Sequence, residues 1–212
     1  MRLIQSLLRP IFYLLYHQFS WTYDFVAAIV SLGRWKDWVQ TTVPYLHGHV
    51  LEIGFGPGHL QLFLNKTNNY VVGLDESRQM ARQAGRRLRK HGSSLLLSRG
   101  YAQNIPFANK TFDSVVATFP SEYIFDPLTL KEIRRVLVPT GRLVILPIAW
   151  ITGKRPLEQL AAWLFRITGE APGKPGPISA ASRDLFTHAG FEVRSEVVNL
   201  NGSQALVLIA TL

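Results

Sequence analysis

Cysteine is absent from this chain, so neither a disulfide framework nor a thiolate metal site is available, and nothing asks for an oxidising compartment. Acidic residues are scarce. The 14 Asp and Glu stand against 23 Lys and Arg, and the net charge of +9 favours an anionic partner without choosing among nucleic acid, phospholipid and acidic metabolite. Uninterrupted apolar runs are short: a spanning helix needs roughly 20 residues, and Arg9, His17 and Asp24 break the first candidate. Arg9 and Pro10 also break the apolar core of a signal peptide, and no small-residue cleavage site follows. Repeats and low-complexity tails are missing too. The expected location is cytoplasmic, with peripheral membrane contact left open.

What is present, 47% hydrophobic and 17% charged residues in 212, suits one α/β domain with enough core to fold alone. Residues 1–44 form an N-terminal helical segment, and 45–212 form the main domain. Within the first segment Leu3, Ile4, Leu7, Leu8, Ile11, Phe12, Leu14 and Leu15 recur at helical spacing, with a kink or restart at Pro10. Two placements stand open for this amphipathic stretch: packed over the domain, or lying in a membrane interface through residues 1–20.

Along the main domain, strands and helices alternate. A helix from Trp35 to Val43 precedes a buried strand at His49–Ile53, which runs into Gly54, Gly56 and Gly58. Further strands are expected at Tyr70–Leu74, Ser94–Ser98, Phe112–Thr118 and Arg142–Pro147, with helices at Ser77–His91 and Pro127–Leu137. Pro139, Thr140 and Gly141 read as the turn into the fifth strand. Two β-rich runs, Phe191–Leu200 and Gln204–Leu212, meet at Asn201, Gly202 and Ser203 as an antiparallel hairpin on the sheet edge. The architecture expected is a Rossmann-like, doubly wound, mostly parallel seven-stranded sheet with N-terminal helices. An insertion at 148–178, with an apolar helix at Pro156–Ile167, is long enough to serve as a lid.

Chemistry concentrates at Val50–His59, where glycine recurs at every second position between a strand and a helix. A dinucleotide-binding loop needs a glycine at the position held by His59, and a phosphate-cradling loop needs Gly-Lys-Ser/Thr. Both are excluded. The acidic residue followed by Gly-x-Gly-x-Gly (Glu52, Gly54, Gly56, Gly58) resembles the signature of the class I S-adenosylmethionine-dependent methyltransferases. Asp75 closes the second strand where that family holds the ribose hydroxyls, and Gly100–Ala117 and Lys131–Leu146 are similar to its Ile-Pro-Phe and Arg-Val-Leu segments. Thr22–Trp38 is similar to the start of the quinone-ring methyltransferases.

The resemblance implies S-adenosyl-L-methionine as cofactor, with S-adenosyl-L-homocysteine as product. The implied site comprises Tyr23, Glu52, Gly54, Phe55, Gly56, Gly58, Asp75, Glu76, Met80, Ala102, Gln103 and Phe119. Tyr101 replaces the family's adenine-binding aspartate, so Gln103 or backbone atoms would substitute. No catalytic base stands out. Glu122, Tyr123 and Tyr23 are candidates for orienting the acceptor, Trp150 and Trp163 could line a pocket or be core, and His47 and His49 read as structural rather than metal ligands.

A small hydrophobic or aromatic acceptor is the expected substrate. The net charge keeps RNA or protein methylation as an alternative, although the acceptor loop lacks the Asn/Asp-Pro-Pro-aromatic pattern of enzymes that methylate nucleic-acid amino groups. A non-catalytic S-adenosylmethionine-binding protein is the third reading. Arg78, Arg82, Arg86, Arg87, Arg89 and Lys90 form a basic helix face, either solvated or phosphate-binding.

Overall fold

The computed structural model describes residues 33–67, 70–153 and 180–212. The amphipathic first segment, Tyr23, Trp163 and the apolar helix of the insertion lie outside the described residues.

Seven strands form one sheet: β1 (His49–Ile53), β2 (Tyr70–Asp75), β3 (Leu97–Arg99), β4 (Phe112–Thr118), β5 (Leu137–Ile151), β6 (Glu192–Leu200) and β7 (Ser203–Thr211). Their order is β3-β2-β1-β4-β5-β7-β6. The first five run parallel and β7 is antiparallel to both β5 and β6. The chain reverses between β1 and β4, so the loops after these strands part there and leave a crevice at the sheet's carboxyl end.

Five helices are described: α1 (Trp35–Gln40), α2 (His59–Leu64), α3 (Arg78–Lys90), α4 (Pro127–Val136) and α5 (Ala180–His188). Alternation along each strand divides the core in two. Val50, Val71, Val116 and Val144 pack with Trp38 and Val39 of α1 and Leu60 and Leu64 of α2. Leu51, Leu74, Val115 and Leu143 pack on the other face with Leu130 and Ile133 of α4 and Phe186 of α5. α3 opens on Ser77, whose Oγ accepts from the Met80 N–H. α4 opens on Asp126, which accepts from the Leu128 N–H, with Pro127 in the first turn.

Several boundaries differ from the sequence reading. The first helix stops at Gln40, and a 3-10 turn at Val43–Tyr45 follows. The third strand is shorter and later, Leu97–Arg99, where it pairs with Gly73–Asp75 at the end of β2. The fifth strand is much longer than expected. Leu137 already pairs with Phe112 and Arg142 with Ser114, so Val138–Gly141 is a bulge inside β5 rather than a turn before it. At the far end β7 supplies partners as far as Ile151, which turns the first residues of the expected insertion into strand. Pro147 cannot donate to the ladder, and the register slips there, between Ile145 and Ile148. The hairpin stands as expected, closed by Asn201 and Gly202 with Gly202 at φ 69°.

Candidate active site

The glycine loop follows β1 directly. Gly54, Gly56 and Gly58 all take positive φ, at 72°, 51° and 82°, the region that glycine enters without steric cost. Two of them are also crowded. A Cβ on Gly54 would stand 2.6 Å from the Tyr123 hydroxyl, and one on Gly58 would stand 2.8 Å from Ala84 Cβ of α3. Gly56 differs: a Cβ there would meet nothing within 4 Å. The loop therefore presents open space at its middle glycine and close packing at its ends. Arg87 of α3 donates to the Pro57 carbonyl and ties the loop to that helix.

Asp75 faces this loop from the end of β2. Its Oδ2 accepts from the Gly56 N–H and its Oδ1 from the Ser77 N–H, both at 2.8 Å. An ionised carboxylate offers about four lone-pair directions, so each oxygen keeps capacity for a second donor. Asp75 is 9% exposed. Burial pushes its carboxyl above the ordinary range, while the Ser77 and Gly56 hydrogen bonds pull the other way.

Beneath the loop lies Glu52, 1% exposed. Burial raises its carboxyl from 4.5 to about 8, with the neighbouring Gln61 amide opposing the rise and the Asp75 charge adding to it. Glu52 Oε2 and Gln61 Nε2 are both buried without a hydrogen-bond partner, so the two side chains are neighbours with capacity to spare.

The remaining candidates flank this centre. The Phe55 ring turns into the sheet, where a Cβ on Gly73 would stand 2.7 Å from it. Glu76 is exposed and Met80 half-buried in the first turn of α3. Ala102 is buried, and Gln103 donates its amide to Asp126 Oδ2 at 3.1 Å, which leaves its carbonyl oxygen as an acceptor. Tyr101 is 65% exposed.

Phe119, with a positive φ of 48°, stacks on Trp35 at a centroid distance of 4.2 Å. Left-handed backbone at a bulky residue stores strain, and here it directs the ring toward α1 at the end of β4. Tyr123 follows on a 3-10 turn, with its hydroxyl over Gly54 and 3.4 Å from the Ile53 carbonyl. Glu122 beside it is exposed. Trp150 packs against the α4–α5 side of the core. His47 and His49 sit at the opposite end of the sheet, where their backbone N–H groups donate to Ser114 and Asp113.

One arrangement escaped the sequence reading. Arg135 binds Glu132 through two nitrogens, at 2.7 Å each, and also donates to the carbonyls of Ile105 and Phe107 and to the Asn109 side chain. Glu132 in turn accepts from the Ile105 N–H at 2.9 Å, and Arg135 holds its carboxyl below the usual range. The clamp fixes the loop that follows Ala102 and Gln103. Its only sequence signal is an acidic and a basic residue three apart on one helix. Replacing Arg135 with alanine should lower stability by about 1 to 2 kcal/mol, since it leaves Glu132 held only by the Ile105 N–H and removes the donor to two loop carbonyls at a partly exposed site. A urea melt checks this; a loss under about 0.5 kcal/mol, the level of an ordinary surface change, would show that the loop holds itself.

The loop and the sheet order define the class I methyltransferase architecture, and comparison with known proteins agrees. Residues 50–141 match the family model described as a methyltransferase domain. A demethylmenaquinone methyltransferase from Thermotoga maritima is 31% identical over 73% of this chain and 71% of its own length. One from Lactiplantibacillus plantarum is 34% identical over 58% of this chain and 56% of its own length. A solved structure from Methanococcus maripaludis, assigned to the S-adenosyl-L-methionine-dependent methyltransferases, superposes with a TM-score of 0.64 over 91% of both chains. At 18% identity that match speaks for the fold. The chain belongs to the methyltransferase family that contains these demethylmenaquinone methyltransferases. It spans 57%, 56% and 64% of the length of three of these curated relatives.

Proposed function

We propose that this chain binds S-adenosyl-L-methionine and transfers its methyl group to a small hydrophobic or aromatic acceptor, for which a quinone ring is the first candidate. The observation that carries the reading is Asp75, a nearly buried carboxylate pinned by the Gly56 and Ser77 N–H groups beside the open face of Gly56. Its two oxygens fit the vicinal hydroxyls of a ribose as paired acceptors. Glu76 and Met80 stand at the same strand end. The Gln103 carbonyl, or backbone atoms beside it, stands in for the carboxylate that Tyr101 replaces. Tyr23, Gly54, Phe55, Gly58, Ala102 and Phe119 complete the cofactor set we assign, with Glu52 organising the loop from below.

When bound, the cofactor supplies a sulfonium methyl group that is already activated. What the protein must add is alignment and exclusion of water. Tyr123 over Gly54 and the Trp35–Phe119 stack form aromatic walls beside the loop that suit this task. A base is required only where the acceptor must lose a proton, and Glu122, Tyr123 and Tyr23 remain the side chains that could orient it. Residues 1–44 serve as a segment over the domain or at a membrane surface, and the part of the insertion that follows β5, up to residue 178, as a lid. The names of the relatives support the ring acceptor. Among the described residues no helix is long and apolar enough to cross a membrane, and we place the protein in the cytoplasm with peripheral contact through residues 1–20.

The test is methyl transfer from isotopically labelled S-adenosyl-L-methionine to a panel of naphthoquinols, benzoquinols and phenols, with RNA as a further acceptor. Label recovered on a ring acceptor, with S-adenosyl-L-homocysteine in equal amount, is expected. Cofactor binding with label on RNA alone would remove the small-ring reading.

A further inference from the structure

We propose that the exposed face of α3, bearing Arg78, Arg82, Arg86, Arg89 and Lys90, docks the protein on an anionic phospholipid bilayer. The proposal rests on the apolar-acceptor reading for its purpose, but on charge and shape for its evidence. Residues 78, 82, 86 and 89 fall on one side of the helix by their three- and four-residue spacing. All five cations are exposed, while Ala84, Gly85 and Leu88 face the core. α3 contains no Asp or Glu, and these five side chains make no ion pair or side-chain hydrogen bond among the described residues. From Arg78 to Lys90 the helix rises about 18 Å, at roughly 1.5 Å per residue. Neighbouring cations therefore lie within about one Debye length, roughly 8 Å at physiological salt, and act as one field.

What flanks the stripe selects the partner. Leu95, 42% exposed, stands in the connection from α3 to β3, and Tyr101, 65% exposed, stands just after β3. Basic residues bordered by an exposed leucine and tyrosine match a head-group interface, where the cations meet lipid phosphate and the apolar side chains enter between head groups. A single-stranded nucleic acid would instead call for aromatic side chains interleaved with the cations, and α3 contains no aromatic residue between its arginines. The stripe also begins at the site: Arg78 follows Ser77, which donates to Asp75. A bilayer lying along α3 would hold the carboxyl end of β2 at head-group level, where an apolar acceptor resides.

The experiment is co-sedimentation of the full chain with phosphatidylcholine–phosphatidylserine vesicles and with pure phosphatidylcholine vesicles, at low and high salt. The comparison variant carries Arg82→Gln, Arg86→Gln, Arg89→Gln and Lys90→Gln. Each cation near an anionic leaflet is worth roughly fivefold in partitioning, so the variant should bind the mixed vesicles at least roughly 100-fold more weakly. The corresponding Arg→Lys variant at 82, 86 and 89 should retain binding, and added salt should release the unmodified chain. Vesicle binding that survives the glutamine variant, or that is absent from the unmodified chain, overturns the proposal. So does binding to duplex RNA that the glutamine variant loses while vesicles are ignored. Titration with S-adenosyl-L-homocysteine in parallel separates the two readings. If the unmodified chain fails to bind it but still loses vesicle binding on substitution, the methyltransferase reading falls and the docking surface stands.

Discussion

Replacing Asp75 with alanine is expected to weaken binding of S-adenosyl-L-homocysteine by roughly 100-fold to 10,000-fold, since a hydrogen bond to a charged group is worth about 1.5 to 3 kcal/mol and two ribose hydroxyls are involved. The structure adds a second cost. Asp75 holds the Gly56 and Ser77 N–H groups, so its removal also frees the middle of the glycine loop and the start of α3. The Asn variant separates this site from a generic acidic patch. Asparagine keeps one acceptor oxygen but turns an NH2 group toward one of the two backbone donors, so it should bind within about tenfold of the alanine variant rather than rescue it. Isothermal titration of both variants, with a thermal melt to confirm folding, gives the answer. An alanine variant that binds within threefold of the unmodified chain would mean that the ribose does not sit on this carboxylate.

Asp75 is legible in the amino-acid sequence because of where the fold puts function. The end of β2 beside the strand-order reversal is a fixed place in a doubly wound sheet, and Asp75 closes an apolar run there. The glycines are legible for a related reason, because only residues without a Cβ satisfy both positive φ and the contacts of Gly54 with Tyr123 and Gly58 with Ala84. The alternation of apolar runs and helical faces similarly marks out seven strands and the terminal hairpin.

What stays hidden depends on partners distant in sequence. β5 reads as a short strand after a turn, because Pro139, Thr140 and Gly141 carry turn signals. In the fold, β4 on one side and β7 on the other supply pairing from Leu137 to Ile151 and make the same residues a bulge. The third strand lies later than its own leucines suggest, because β2 sets its register. Arg135 belongs to a family-like segment that says nothing of its role. That role is visible only when Ile105, Phe107 and Asn109 come within reach. The Phe119 ring is likewise placed by Trp35, a contact between residues 84 positions apart that no local pattern encodes.

The buried acid beneath the loop leads to the other large effect: stability should fall as pH rises from about 5 to about 8, and Glu52→Gln should remove most of that fall. The Glu52 carboxyl titrates near 4.5 when unperturbed and at about 8 in the folded chain, chiefly because burial disfavours its charge. Between those values the folded state holds a proton that the unfolded state has released, so stability declines with pH across that window and levels off above it. The slope cannot exceed roughly 1.4 kcal/mol per pH unit for one group, and the total is several kcal/mol. Asp75, also raised by burial, adds a decline of the same sign at the acidic end, which both proteins share. Glutamine keeps the shape of protonated Glu52 and carries no charge at any pH. Urea unfolding of both proteins at pH 5, 6.5 and 8 should therefore show profiles that meet near pH 5 and diverge toward pH 8, with the variant the more stable. Parallel profiles would mean that Glu52 is ionised in the folded protein, with its otherwise unpartnered Oε2 accepting from a donor such as the Gln61 Nε2 amide. A cationic ligand over the loop would favour the same ionised form, so its binding should release a proton near pH 7 from the unmodified chain and none from the glutamine variant.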